Sequence, residues 1–82
     1  MFYVYILLCT DGSLYTGIAK DVEKRFAMHL DGTGAKYTRS HTPEKVVYRE
    51  AKRTKGAALS REAAIKRLSK ADKAAIIKLQ AL

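Results

Sequence analysis

The stretch Phe2-Tyr3-Val4-Tyr5-Ile6-Leu7-Leu8-Cys9-Thr10-Asp11-Gly12-Ser13-Leu14-Tyr15-Thr16-Gly17-Ile18 decides how the chain folds. It reads as a β-hairpin: an eight-residue apolar strand, a turn at Asp11-Gly12, and a second strand ending at a glycine. Tyr3 and Tyr5 are two apart and share a strand face, and Tyr15 stands on the partner strand. A two-residue turn at Asp11-Gly12 pairs Leu8 with Tyr15 and puts the phenols of Tyr5 and Tyr15 on opposite faces. A three-residue loop, Thr10-Asp11-Gly12 with Gly12 left-handed as a bulge, pairs Leu7 with Tyr15 and Tyr5 with Gly17. The second register is the one expected here, because it puts both phenols on one side and leaves the bare glycine above Tyr5.

With 82 residues the chain has room for one compact domain, expected over 1–82, and a core too small for a large buried cofactor. Cys9 is the only cysteine, which excludes an internal disulfide. With only His29 and His41 beside it, a structural zinc site lacks ligands. The apolar run Phe2 to Leu8 has no basic leader and is followed by a turn, so a strand is expected rather than a secretion signal. No segment approaches membrane-spanning length, and a cytoplasmic protein is expected.

The net charge of +8 is unevenly placed. Residues 1–44 hold five basic and five acidic side chains, whereas residues 45–82 hold eleven basic and three acidic ones. Such a surface attracts polyanions, nucleic acid first among them; a solvated lysine-rich helical face is the bland alternative.

Beyond Gly17, Asp21 suits a helix N-cap, and the helix is expected from Val22 to Asp31, stopping at Gly32. Val22, Phe26 and Leu30 recur every four residues and are expected to face the core. Asp21, Arg25 and His29 form the neighbouring stripe. That stripe either borders a cleft or is an ordinary exposed ladder. Residues 32–43 then combine glycines and hydroxyls with Lys36, Tyr37 and Arg39, a mixture suited to phosphate and an unstacked base, or to a plain polar connector. No Gly-x-Gly-x-x-Gly or Walker pattern follows.

A third strand is expected over Lys45 to Ala51, followed by a basic turn, Lys52-Arg53-Thr54-Lys55-Gly56. A second helix is expected from about Ala57 to Leu68, with Ala58, Leu59, Ile65 and Leu68 as its apolar stripe. Glu62 falls inside that stripe. An acid on the inward side of a helix wants a cation, a hydrogen-bond donor or a metal; a salt bridge with Arg25 or Arg61 would also satisfy it. Ser69-Lys70-Ala71-Asp72 resembles a capping box and opens a third helix, with Ala75, Ile76, Leu79 and Leu82 on one face. The expected architecture is α+β: a small three-stranded antiparallel sheet flanked by three helices, in the order ββα-βαα.

The order of these features resembles the GIY-YIG nuclease family. Tyr3-Val4-Tyr5 corresponds to the first motif and Tyr15-Thr16-Gly17 to the second, with Tyr3 in place of the first Gly and Thr16 in place of the central Ile. The resemblance continues at Arg25, ten residues beyond Tyr15, at His29 one helical turn later, and at Glu62. It spans nearly the whole chain. The loop from Gly34 to Pro43 looks most like small stand-alone bacterial members and eukaryotic junction-cutting repair nucleases. Homing endonucleases and the N-terminal domain of the bacterial excision-repair nuclease are more distant.

The resemblance implies a divalent-metal-dependent endonuclease acting on structured or single-stranded DNA, in repair or recombination. Its catalytic residues would be Tyr5, Tyr15, Arg25, His29 and Glu62. By that likeness Glu62 would hold a single Mg²⁺ or Mn²⁺, and Arg25 would bind the scissile phosphate. Tyr15 would orient and deprotonate the attacking water, with Tyr5 and His29 in support. A phenol is a poor base, since an unperturbed pKa near 10 leaves about one part in a thousand ionised at neutral pH. The proton would therefore need nearby cations, or would pass to a phosphate oxygen or to His29. Many relatives carry a lysine where this chain has Ile18, so that Lys20 would substitute, and an asparagine where it has Ala74. Nucleic-acid contacts are expected from Lys20, Lys36, Tyr37, Arg39, Lys52, Arg53, Lys55 and Lys66, giving salt-sensitive, structure-directed binding. RNA as substrate, a protein partner, and a binding module that cuts nothing are the alternatives.

Overall fold

The computed structural model describes residues 1–81. Its elements run β1 (Phe2–Cys9), β2 (Leu14–Ala19), α1 (Val22–Leu30), α2 (Lys36–Ser40), β3 (Pro43–Lys52), α3 (Lys55–Lys66) and α4 (Lys70–Ala81). The sheet is antiparallel with β1 in the middle, in the order β2-β1-β3. Four helices rather than three flank it.

The hairpin takes the three-residue loop. Cys9 N–H donates to the Ser13 carbonyl at 2.9 Å, and Gly12 lies at φ +84, where a left-handed backbone favours glycine. Tyr5 therefore pairs with Gly17 and Leu7 with Tyr15. Alternation along β1 then divides the molecule. Val4 and Ile6 face one way and pack with Tyr48, Ala58 and Ile65, the last two from α3; Ile76 and Ile77 of α4 close the edge. Tyr5 and Leu7 face the other way, against Val22 and Phe26 of α1. Both faces of β1 are buried, which explains its unbroken apolar run.

The caps explain where the helices begin. The Asp21 carboxylate accepts from Lys24 N–H at 3.0 Å, and Ser69 Oγ accepts from Asp72 N–H at 3.1 Å. Thr54 Oγ1 accepts from Ala57 N–H at 3.1 Å, so α3 starts two residues earlier than expected. Lys55 and Gly56 are its first turn, not part of a basic turn before it. β3 is also longer than expected, because its pairing with β1 extends from Pro43 to Lys52 across two register shifts. At its edge, the Gln80 amide of α4 accepts from Arg49 N–H at 2.9 Å and donates to Arg49 C=O at 2.6 Å. That doubly bonded amide satisfies one peptide of an otherwise open strand.

Three expected core leucines are outside. Leu30, Leu59 and Leu79 are 55%, 45% and 69% exposed. In α1 the inward face is rotated toward His29, which is buried in the place expected of Leu30. In α4 the packed residues are Ile76 and Ile77, and Ala75 is exposed. Leu82, expected on that face, lies outside the described residues.

Candidate active site

The expected connector between α1 and β3 holds a short helix, and that helix completes the site. α1 ends at Asp31 with Gly32 at φ +86; Gly32 N–H donates to His29 C=O and Thr33 N–H to Met28 C=O, the paired bonds that turn a chain back on itself. The returning backbone passes so near His29 that a Cβ on Gly34 would stand 2.6 Å from its Nδ1 and 2.8 Å from its backbone nitrogen. α2 follows and buries Thr38 beside the imidazole.

A chain of three hydrogen bonds results. Tyr5 Oη lies 2.7 Å from His29 Nε2, His29 Nδ1 lies 2.7 Å from Thr38 Oγ1, and Thr38 Oγ1 lies 3.1 Å from the Ala35 carbonyl. A carbonyl only accepts, so the single Thr38 hydroxyl proton goes to Ala35. Thr38 must then accept from Nδ1–H, which leaves Nε2 bare to accept the Tyr5 proton. This assignment needs a neutral imidazole. Burial, with the positive charge of Arg25 nearby, holds the His29 pKa below its ordinary value.

Tyr5 is consequently a hydrogen-bond donor inward and an oxygen outward. Its pKa is pushed up to about 12, first by burial, then by the neighbouring Tyr15 phenol; Arg25 opposes that rise and the Glu62 carboxylate adds to it. Tyr5 therefore stays protonated and is not a base at neutral pH. Arg25 and Glu62 thus act on the Tyr5 hydroxyl in opposite senses, the guanidinium favouring its ionisation and the carboxylate opposing it. Gly17 makes room for that phenol: a Cβ there would stand 2.6 Å from Tyr5 Oη and 3.1 Å from Tyr15 Cε2.

Tyr15 is half-buried, with its ring centroid 6.4 Å from that of Tyr5 and 5.0 Å from that of His29. Its outer side meets Tyr37 of α2 at 5.9 Å, and Tyr37 stacks on His41 at 4.0 Å and 12°. Among the described residues Arg25 Nε is buried without a hydrogen-bond partner. The same side chain also lines an open groove, where a guanidinium fork suits an anion.

Glu62 pairs with neither Arg25 nor Arg61. Lys66 Nζ lies 3.5 Å from its Oε2, one turn along α3, while Arg61 turns to Glu50 at 3.2 Å. No cluster of three His, Cys, Asp or Glu side chains occurs among the described residues, so no all-protein metal cage exists there. One carboxylate, 17% exposed and already attended by a cation, still fits Mg²⁺ or Mn²⁺. Mg²⁺ keeps most of its waters and typically takes one or two carboxylates together with substrate phosphates.

The expected nucleic-acid contacts divide. Lys20 and Lys55 meet Arg25 along one groove, together with Lys24, which sequence reasoning passed over. Lys36, Tyr37 and Arg39 stand exposed on α2. Lys52 is held by Glu50 at 2.8 Å, Lys66 attends Glu62, and Arg53 is exposed. Sequence reasoning also missed Thr38 and Gly34; each acts only through His29, and although Gly32 announces the turn, no local pattern pairs either residue with the imidazole.

The family model for the GIY-YIG catalytic domain matches residues 1–75. The chain belongs to the GIY-YIG family. That family is a nuclease family, and the GIY-YIG match spans both tyrosine strands, Arg25, His29 and Glu62. A UPF0213 protein of Staphylococcus saprophyticus is 52% identical over 75 residues, covering 92% of each chain. Another, of Cupriavidus pinatubonensis, is 53% identical over 73 residues, covering 89% of this chain and 81% of its own. The solution NMR structure of a UPF0213 protein from Bacillus halodurans superposes with a TM-score of 0.61 at 44% identity, covering 96% of this chain and 85% of the other. It shares the GIY-YIG-like α+β architecture. No helix among the described residues is long and apolar enough to cross a membrane.

Proposed function

We propose that this GIY-YIG protein is a divalent-metal-dependent endonuclease that hydrolyses phosphodiester bonds in structured or single-stranded DNA, in cytoplasmic repair or recombination. One observation carries the reading: Tyr15 stands against a buried Tyr5–His29–Thr38 hydrogen-bond chain, with its ring 5.0 Å from His29 and 6.4 Å from Tyr5.

Each group has a task in that reaction. Arg25, which lines an open groove with Lys20, Lys24 and Lys55, binds the scissile phosphate and faces the charge that grows on its oxygens. Tyr15 orients the attacking water through its hydroxyl. Tyr5, locked as a protonated phenol, holds its oxygen outward and fixes Arg25 and Tyr15 relative to each other. His29 does not collect the water's proton directly, because both of its nitrogens are occupied. The proton goes to a phosphate oxygen, or to Tyr15 where its hydroxyl has first lost its own proton to solvent. Glu62 would hold the metal, which supplies Lewis-acid stabilisation of phosphate charge.

The test is cleavage of a panel of labelled DNA structures with Mg²⁺ or Mn²⁺, comparing the parent protein with Glu62→Gln and Tyr15→Phe. Cutting by the parent and losses of roughly a hundredfold or more in both variants are expected. A parent that binds but never cuts, or a Glu62→Gln variant that cuts equally well, rejects the reading.

A further inference from the structure

Arg25 belongs to two neighbourhoods. One side faces Tyr5 and His29; the other opens on a groove of about 570 Å³ between the start of α1 and the start of α3. The size lies within the roughly 300–1,000 Å³ of small-ligand sites. Phe2, Ile18 and Met28 form an apolar floor, and Lys20, Lys24, Arg25 and Lys55 stand round it. The one acid in the lining, Asp21, is engaged as the N-cap of α1. Lys20 Nζ rests 5.2 Å from the centre of the Phe2 ring, a loose cation–π contact that an incoming anion can draw away.

We infer that this groove seats one unpaired nucleotide of a DNA strand, next to the phosphate bound by Arg25. The chemistry of the lining selects it. A rim of four cations calls for phosphate. An apolar floor calls for the flat face of a base, and in a duplex those faces are covered by their stacked neighbours. Of the two states of DNA, duplex and unpaired, the unpaired nucleotide is the one that offers both groups at once. A duplex would present phosphates to the rim and leave the floor uncovered. The preferred substrate is therefore a strand with unpaired nucleotides at the cut, such as a flap, fork or gap. This deepens the nuclease reading, and rests on it for the position of the scissile phosphate.

The test separates the groove from the cleavage. Glu62→Gln, labelled with ¹⁵N, is titrated with a thymidine pentanucleotide and with a blunt hairpin duplex. The expected result is amide shifts at Ile18, Ala19, Lys24 and Lys55 with the single strand, and much smaller ones with the duplex. Lys24→Glu and Lys55→Glu are expected to weaken single-strand binding about tenfold each, while the same reversal at Lys70 or Lys73 of α4 changes it less than about threefold. Shifts centred elsewhere, equal groove shifts with the duplex, or equal losses from the α4 variants overturn the inference. Groove binding by a parent that never cuts would sink the nuclease reading and leave the groove standing; cutting with an unused groove would do the reverse.

Discussion

Gly17 and Tyr5 face each other across the β1–β2 ladder, and the hydrogen that serves Gly17 as a side chain is what admits the Tyr5 hydroxyl. A methyl group there would have its carbon 2.6 Å from Oη and 2.8 Å from Cζ, well inside contact. The phenol cannot swing aside, because it is buried and its hydroxyl is tied to His29. Gly17→Ala is expected to cost about 1–3 kcal/mol in stability through overpacking and to disable cleavage by displacing Tyr5. Denaturant melts and cleavage rates check this; a variant of parental stability and activity would show the contact to be soft.

On the opposite face of β2, Thr16 is buried opposite Ile6, and its Oγ1 finds no partner among the described residues. An unsatisfied buried hydroxyl costs roughly 1–3 kcal/mol, and valine has nearly its shape without it. Thr16→Val is expected to raise the stability by about 1 kcal/mol while leaving cleavage unchanged. A destabilised variant in a thermal melt would mean that the hydroxyl is satisfied in solution.

Glu50 joins strand and helix through charge. Its carboxylate accepts from Tyr48 Oη at 2.5 Å and from Arg61 Nε at 3.2 Å, with Lys52 Nζ at 2.8 Å. Burial alone would raise its pKa, but Lys52, Tyr48 and Arg61 prevail and bring it from 4.5 down to about 2. Because the folded pKa is the lower one, this stabilisation is complete above about pH 4.5 and is lost as pH falls toward about 2. Glu50→Gln is expected to cost roughly 1–3 kcal/mol at neutral pH and to flatten the stability curve in that acid window. Urea midpoints measured between pH 2 and 7 decide it; parallel curves for parent and variant would count against it.

How much of this was legible depends on whether the cause is local. The Gly12 bulge, the caps at Asp21 and Ser69, and the double burial of β1 involve residues a few positions apart, and all follow from pattern. The true start of α3 was hidden because Gly56 reads as a breaker, although Thr54 caps the helix ahead of it. α2 has five residues and no side-chain cap; it stands because Thr38 is bonded to His29, and no local propensity signals that. The leucine spacing in α1 misled for a related reason. Its inward face carries His29 and Arg25, whose polar ends are accommodated by the site, so Leu30 is left to solvent. That Tyr5, Tyr15, Arg25, His29 and Glu62 serve one site was an expectation from family resemblance; the groove floored by Phe2 and Met28 required coordinates, since its lining comes from four separate elements.

Thr38 tests the direction of the buried hydrogen-bond chain. In Thr38→Val the Nδ1–H of His29 loses its acceptor, at about 1–3 kcal/mol. The imidazole can recover by moving its proton to Nε2, but Nε2–H then donates to Tyr5 and the phenolic proton must turn outward. Tyr5 would face Arg25 with a donor instead of an acceptor, so cleavage is expected to fall roughly ten- to a hundredfold, with Thr38→Ser largely restoring it. Ring ¹⁵N shifts of His29 report the tautomer directly. Acid should break the same chain, because protonation puts a hydrogen on Nε2. His29 has a folded pKa below the ordinary 6.5, so its stabilisation is complete above pH 6.5 and is lost as pH falls below it toward the folded value. Cleavage by the parent is therefore expected to hold down to about pH 6.5 and decline only below it. A Thr38→Val protein with an unmoved tautomer and parental cleavage would remove Thr38 from the site.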